Sequence, residues 1–180
     1  MQHKPEQRFK ALSYYPKGAA VKALYVSSIC VGLLLASAAS QAGTVNVVFV
    51  HPENFTDIRD SDRDAGPNLK ILADYFQWLG QKYLPPEKTV KIEVLDVDLA
   101  GRLVPSVRLG NVRVLGKPVD WPEINLRYTV EVNDQVVSSG EDKVADMGYN
   151  THMDTFSSGE KLSNEKQMLK TWFRSHFESN

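Results

Sequence analysis

The stretch Trp121–Met147, WPEINLRYTVEVNDQVVSSGEDKVADM, decides the fold of this chain. Between positions 124 and 132, apolar residues alternate with polar ones. Successive side chains of a strand point to opposite faces, so this segment has one apolar face and one wet face. Asn133-Asp134 is typical of a tight turn, and a second extended run follows it. The stretch therefore predicts a β-hairpin.

Two segments outside the hairpin have the periodicity of amphipathic helices. Apolar residues recur three and four positions apart from Leu69 to Tyr83, and again from Met168 to Phe177. Each segment therefore carries a wide apolar stripe along one side of a helix. Both helices need a surface to cover, and the apolar face of the hairpin needs covering too.

Two further segments upstream of the hairpin are predicted strands. Residues 44–50 are almost continuously apolar, whereas residues 90–99 alternate and switch parity at Val94-Leu95. Because the side-chain period of a strand is two, the switch predicts a bulge or bend at that point. The strand–helix–strand order requires a crossover connection, so these two strands are expected to run parallel.

The segment between the second strand and the hairpin has a weaker pattern. Residues 102–110 are ambiguous, and Pro105 weakens any assignment to a central strand. Gly110-Asn111 is interpreted as a turn, and residues 112–114 are interpreted as a short strand.

These elements together predict an α+β fold built as a two-layer sandwich. We expect a mixed, mostly antiparallel sheet of four to five strands, with the two helices packed on one face. Residues 43–180 are expected to form a single domain of this kind. The polar face of the hairpin is expected to stay wet or to meet a partner.

The first 42 residues have the pattern of a secretory signal peptide. Residues 1–22 are polar and basic, residues 23–35 are largely apolar, and small residues follow up to Ala42. Cleavage after Ala42 is preferred over cleavage after Ala38. The alternative is an uncleaved anchor, but the apolar part is short of the roughly 20 residues that a span needs. We therefore expect a periplasmic or secreted protein with no stable membrane insertion after cleavage.

Charge and cysteine usage exclude several classes of function for the main body. Of the 21 basic and 22 acidic residues, five basic and one acidic lie in residues 1–42, which leaves a formal charge of −5 for the rest. A body of that sign lacks the basic footprint of a nucleic-acid-binding protein. The only cysteine is Cys30, so the body has no disulfide, cysteine metal site or cysteine nucleophile. Ile29 precedes Cys30, which argues against lipidation because a small residue is needed there.

A run of aspartates precedes the first predicted helix. Asp60, Asp62 and Asp64 have the spacing of the first three ligands of an EF-hand loop. The match then fails, because Gly66 comes one place late and Ile71 stands where a bidentate glutamate is required. Helix capping by Asp62 or Asp64 is the preferred interpretation. These three aspartates are the nearest candidates for a metal site, and no catalytic or cofactor-binding residue is assigned.

An alternative hypothesis is a metal-assisted hydrolase built on carboxylates near a histidine. Asp57, Asp60, Asp96 and Asp98 with His51 would lie near the carboxyl ends of the first two strands, where ligands lodge in parallel α/β units. A solvated sheet face is the preferred interpretation of Asp96 and Asp98. The discriminating observation is whether His51 and two of these carboxylates converge in one pocket.

Five segments together resemble the family DUF3016, exported bacterial proteins that carry a domain of unknown function. They are residues 49–57 (FVHPENFTD), 92–102 (IEVLDVDLAGR), 120–128 (DWPEINLRY), 139–149 (SGEDKVADMGY) and 162–173 (LSNEKQMLKTWF). The resemblance implies an exported or periplasmic protein of Gram-negative bacteria, and it implies no activity.

We interpret the chain as a non-catalytic interaction or envelope-associated module. The interpretation depends on the export signal, the two-layer build and the lack of a convergent chemical motif. No cofactor is expected, and the expected partner is an unknown envelope protein or a small ligand. The wet sheet face and the Asp-rich loop are the candidate binding surfaces.

Overall fold

The computed structural model describes residues 42–59, 64–108, 110–116, 119–151 and 159–178. The predicted signal peptide, apart from Ala42, lies outside the described residues, as do Asp60 and Asp62. The strands are β1 (Thr44–Phe49), β2 (Lys88–Asp98), β3 (Arg102–Ser106), β4 (Gly110–Val114), β5 (Glu123–Val132) and β6 (Gln135–Ala145). The helices are α1 (Gly66–Tyr83) and α2 (Ser163–Phe177), and a short 3-10 turn covers Pro52–Asn54.

The main sheet has four strands in the order β1-β2-β5-β6. β1 runs parallel to β2, and β2–β5 and β5–β6 are antiparallel pairs. The mixed sheet and the parallel first pair are therefore confirmed. The crossover through α1 is the reason that β1 and β2 are parallel, whereas the tight hairpin makes β5 and β6 antiparallel.

The predicted bulge in β2 is confirmed. Val94 pairs with Leu126 and Asp96 pairs with Asn125, so Leu95 is an extra residue on its strand. The insertion reverses the alternation, and the apolar residues on both sides of it face the same core. The buried set in this region is Val90, Ile92, Val94, Val97 and Leu99.

The hairpin turn is built on two residues with left-handed backbone. Asn133 has φ 51° and Asp134 has φ 63°, the pattern of a type I′ turn. Asn and Asp tolerate this conformation better than other residues with a Cβ, so the turn forms without glycine. A second bulge follows, because Val130 pairs with Ser138 while Glu131 pairs with Val136, leaving Val137 unpaired.

Both helices pack on the same face of the main sheet. Their largest buried side chains meet one apolar layer of the strands, and Phe76 of α1 and Phe173 of α2 are fully buried there. Near the end of α2, Tyr128 contacts Trp172 and Phe177 edge to face, with ring centroids 6.0 and 5.3 Å apart. The predicted α+β, two-layer arrangement is confirmed.

The segment between β2 and β5 differs from the sequence expectation. β3 and β4 form a separate two-stranded sheet, in which Ser106 pairs with Gly110 and Pro105 with Asn111. Gly110-Asn111 was interpreted as a turn, and that prediction is wrong because both residues belong to β4. In a two-stranded sheet each strand is an edge, so a proline is tolerated there.

The first turn of α1 is supported by Asp64, but not from the capping position. Ala65 is the N-cap residue and makes no side-chain cap bond. The Asp64 carboxylate accepts a hydrogen bond from the Gly66 N–H, with Oδ1 3.1 Å from the nitrogen. The carboxylate therefore satisfies one free amide at the start of the helix and complements the helix dipole.

None of the helices in the described part of the chain combines the length and apolar character that a membrane crossing requires.

α1 crosses β1 so closely that Gly80 has no room for a side chain. A Cβ at Gly80 would lie 2.6 Å from Cγ2 of Val45 and 3.1 Å from its backbone nitrogen. At an exposed helix position, a Gly→Ala substitution raises the stability of a protein by about 0.5–1 kcal/mol. A loss of stability from the same substitution at Gly80 would therefore indicate the close approach of α1 to β1.

We predict that Gly80→Ala lowers the free energy of unfolding by about 1–3 kcal/mol, since the added methyl group overpacks the helix–strand contact. Chemical denaturation measures the change. Gln81→Ala, an exposed neighbour on the same helix, is the control and should leave stability within about 0.5 kcal/mol. A Gly80→Ala protein more stable than the parent would contradict the packing described.

Candidate functional site

An acidic cluster forms where the loop after β1 returns beside the second half of β2. Asp57 pairs with Asp98 in an isolated parallel bridge. The Asp57 N–H donates to Val97 O at 2.9 Å, and the Leu99 N–H donates to Asp57 O at 3.1 Å. The backbone thus brings the carboxyls of Asp57 and Asp98 near each other and near those of Asp96 and Glu123.

Three of these four carboxylates are held by structural partners. Asp96 accepts hydrogen bonds from the backbone N–H and the hydroxyl of Thr56, at 2.7 and 2.8 Å. Asp57 pairs with Arg113 at 2.8 Å, and Glu123 pairs with Lys143 at 2.7 Å. The Asp96 bonds tie the loop to β2, the Asp57 pair ties the loop to β4, and the Glu123 pair connects β5 to β6.

The surroundings of Asp98 alter the acidity of its carboxyl group. Partial burial raises the pKa of Asp98, and the negative charges of Asp57, Asp96 and Glu123 raise it further. The nearby Arg113 guanidinium acts in the opposite direction. The ionised Asp98 side chain is therefore disfavoured by its surroundings, which makes the cluster a local source of strain at neutral pH.

His51 does not join the carboxylates. It is exposed, has left-handed backbone, and places Nδ1 3.2 Å from Glu53 Oε1. A cavity of about 260 Å³ opens beside Asp57, and neither His51 nor Asp96 nor Asp98 lines it. The convergence that the hydrolase hypothesis required is therefore not found in the described residues, and Asp60 lies outside them.

A metal site would need several ligand side chains to converge among the described residues. No group of three or more His, Cys, Asp or Glu side chains there is arranged to hold a metal ion. The proposed aspartate ligands Asp60 and Asp62 lie outside the described residues, and Asp64 supports α1 as described above. The sequence assigns no metal site to these three aspartates, and they stay its nearest candidates for one.

Arg113 of β4 connects the small sheet to the main one. Its side chain is 14% exposed, and its Nη2 donates to Asp57 Oδ1 at 2.8 Å and to Arg59 O at 2.6 Å. Its Nη1 lies 3.3 Å from both Ala100 O and Gly101 O. A planar guanidinium has five N–H donors in a fixed fork, whereas the three donors of a lysine ammonium are fewer than the four acceptors here. Sequence reasoning missed this residue because its partners are distant in the chain.

The main sheet has two edge strands, β1 and β6, and β6 is the longer and the more exposed of the two. Eight of its eleven residues are exposed, whereas only one of the ten residues of the central strand β5 is. Within the described part of the chain, β6 pairs with β5 alone. Its outer side therefore presents backbone donors and acceptors to solvent.

The hydrogen-bond pattern shows which residues face outward. The Asp146 N–H donates to Pro122 O at 3.2 Å, so this position points inward toward β5. Hydrogen-bonded and non-bonded pairs alternate in an antiparallel ladder. Counting back along the strand, the outward N–H groups belong to Ala145, Lys143, Glu141 and Ser139.

A groove of about 330 Å³ runs beside the end of this edge, between β6 and α2. Its apolar floor is formed by Val144, Met168 and Trp172, and Thr171 lines its helix side. The groove lies next to the backbone groups that point outward from Lys143 and Ala145. The sequence showed no sign of it, because its walls are more than twenty residues apart in the chain.

One wall of the groove is fixed by Asp142. Trp172 Nε1 donates to Asp142 Oδ2 at 2.8 Å, and His176 Nε2 lies 3.2 Å from the same oxygen. His176 therefore shares this carboxylate with Trp172 across the helix–strand contact. The three side chains anchor α2 to β6 and hold the groove open.

We predict that Arg113→Lys lowers the free energy of unfolding by about 1–3 kcal/mol, because a lysine leaves some of the acceptors around Arg113 unpaired. Denaturant titration measures the loss. Arg108→Lys is the matched control, since Arg108 is exposed beyond the end of β3. Equal stability of the two variants would show that Arg113 does not anchor the small sheet.

We predict that Asp98→Asn raises the melting temperature at pH 7. The raised pKa means that the folded protein holds this proton more tightly than the unfolded chain, so the ionised carboxyl costs stability above the folded-state pKa. The gain is expected to be about 0.5 kcal/mol or less, because solvent screens a partly exposed group. It should shrink toward zero below about pH 4, where the carboxyl is protonated in both states.

Asp74→Asn is the control for this pH series. Asp74 is exposed and pairs with Lys70 one helical turn away, so its neutralisation should give no gain in stability at pH 7. A gain for Asp98→Asn that is constant from pH 4 to pH 8 would contradict the electrostatic explanation.

Comparison with known proteins gives the relationship of the chain. No curated protein and no solved structure matches it. A family model described as a protein of unknown function, DUF3016, matches residues 43–175, which is most of the chain. The resemblance seen in five segments of the sequence is confirmed by this match. The chain belongs to the DUF3016 family of proteins of unknown function.

Proposed function

We propose that this chain is an exported, non-catalytic module of the bacterial envelope that binds a partner chain along the free edge of β6. The observation that carries the proposal is the long exposed edge strand with unpaired backbone groups at Ser139, Glu141, Lys143 and Ala145. Such an edge is a template for an added strand, and many recognition domains bind their partners in this way.

The polar face of the main sheet supports binding rather than catalysis. Its charged side chains are engaged with each other across neighbouring strands, as in the pairs Lys91–Glu131 at 2.6 Å and Arg127–Glu93 at 3.0 Å. Arg127 also bonds Glu141 at 3.2 Å. Side chains paired in this manner stabilise the sheet surface, and they do not form a nucleophile, a base and an orienting group in one place.

The export part of the proposal is supported by the first 42 residues. They have a basic start, an apolar centre and small residues at the exit, which a signal peptidase requires. The absence of cysteine from residues 43–180 means that the domain needs no disulfide in an oxidising compartment. The domain itself is held by the apolar layer between sheet and helices.

A site-specific photo-crosslinking experiment tests both parts of this proposal. The tagged full-length chain is expressed in a Gram-negative host with a photoreactive amino acid at Ser139 on the free edge. We expect a discrete adduct in the periplasmic fraction, on a chain whose first residue is Gly43. The same photoreactive group at Gln77, on the exposed side of α1, is the matched control and should give no such adduct.

Two results would contradict the proposal. A full-length chain retained in the cytoplasm would remove the export part. Identical adduct patterns from Ser139 and Gln77 would show that β6 is not a binding edge.

A further inference from the structure

We propose that the edge of β6 binds an extended, cationic peptide segment that places an aliphatic side chain in the groove beside α2. This inference rests on the proposed function and specifies the chemistry of the partner.

The backbone of the edge sets the shape of the ligand. Outward N–H groups recur at every second residue from Ser139 to Ala145, which is the spacing that an added strand satisfies. Each such residue also presents its carbonyl oxygen outward. A helical segment cannot satisfy a row of this kind, since its own backbone groups are bonded internally. The ligand is therefore extended where it meets β6.

The groove sets the side chain at one position of the ligand. Side chains of an added strand alternate between the two faces of the sheet, so every second one points toward the α2 layer. The groove lies in that layer beside the C-terminal end of β6, and Val144, Met168 and Trp172 form its apolar floor. A volume of about 330 Å³ accommodates a valine or leucine side chain. Its burial there stabilises the complex through the hydrophobic effect.

The charged side chains around the edge indicate the sign of the charge on the ligand. The carboxylates of Asp142 and Asp146 flank the groove, and Glu141 lies on the opposite face of the same strand. Among the described residues, the cations beside this part of the edge are Lys143 and Arg127, which pair with Glu123 at 2.7 Å and with Glu141 at 3.2 Å. The acidic groups there still outnumber them, since they are Glu123, Glu141, Asp142 and Asp146. Residues 43–180 carry a formal charge of −5. Lysine or arginine side chains next to the aliphatic residue therefore complement the surface.

A second copy of this chain fits the edge less well. Two β6 strands brought together would each present Glu141 and Asp142, and two bodies of the same negative charge repel each other. The partner with the better electrostatic match is a basic segment of a different chain. A second copy nevertheless remains an outcome that the experiment reports.

The test uses the protein purified after expression of the full chain, together with two synthetic probes. In the first probe every second residue is threonine, and valine and lysine occupy the positions between. The second probe has glutamate in place of each lysine. Fluorescence anisotropy at physiological salt measures binding of the labelled probes. We expect the lysine probe to bind at least about 10-fold more tightly than the glutamate probe, which corresponds to about 1.4 kcal/mol.

Two variants locate the binding on the structure. Ala145→Pro removes an outward N–H while the ladder with β5 keeps its bonds, so binding should be lost. Thr171→Lys adds a positive charge inside the groove, and it should weaken the lysine probe about 10-fold. Gln77→Lys adds the same charge on α1 and is the control without effect. If Ala145→Pro fails to fold, the difference in probe binding between Thr171→Lys and Gln77→Lys still shows whether the probe binds at the groove.

Several results would overturn the inference. They are the absence of lysine-probe binding, equal binding of the two probes, and binding that neither Ala145→Pro nor Thr171→Lys reduces. A concentration-dependent dimer in sedimentation that Ala145→Pro abolishes would make a second copy the occupant. If the photoreactive group at Ser139 still forms its adduct in cells but the lysine probe does not bind, the proposed cationic peptide is wrong. The proposal that β6 is a binding edge then remains supported.

Discussion

One extra residue in the second strand determines how the rest of the domain is arranged. Without the bulge at Leu95, β2 would turn either Val90, Ile92 and Val94 or Val97 and Leu99 away from the helices. With it, both halves of the strand contribute to one apolar layer, and α1 and α2 need only one face to cover. The insertion also sends Asp96 and Asp98 to the outer face, where the loop after β1 meets them.

The acidic cluster is therefore a consequence of core packing. Asp57 reaches Asp98 because the chain after β1 continues beside the displaced end of β2. Arg113 and Thr56 then offset part of the repulsion among the carboxylates. The cluster and the small sheet depend on each other, since the arginine that neutralises Asp57 also holds β4 in place. This mutual dependence gives the polar groups a structural role.

Much of the fold follows from local pattern in the sequence. The alternation around Tyr128, the three-and-four spacing in both helices and the parity switch at Leu95 are short-range signals, and each predicts a feature that the structure contains. The small β3–β4 sheet was not predicted, because Pro105 and Gly110 blur the alternation and the two strands pair only with each other. A turn residue and an edge-strand residue have the same local preferences there.

The candidate sites were less accessible to sequence reasoning. The sequence marks three members of the acidic cluster, which do lie together: Asp57, Asp96 and Asp98. No local pattern marks the other two residues of the cluster, Glu123 and Arg113. His51 follows the strand as expected, yet its left-handed backbone directs it toward Glu53. The groove between β6 and α2 depends on how a helix settles against a strand. The spacing of apolar residues in the sequence does not encode the distance between α2 and β6.

The unpaired Val137 has an effect on the behaviour of the domain in concentrated solution. A long flat edge would allow copies to stack strand upon strand into fibrils, the hazard of every open sheet. The irregularity at Val137 interrupts the ladder near the hairpin tip and increases the local twist. The run that stays in register up to Ala145 carries Glu141, Asp142 and Lys143, and charged side chains on an edge strand disfavour the stacking of copies.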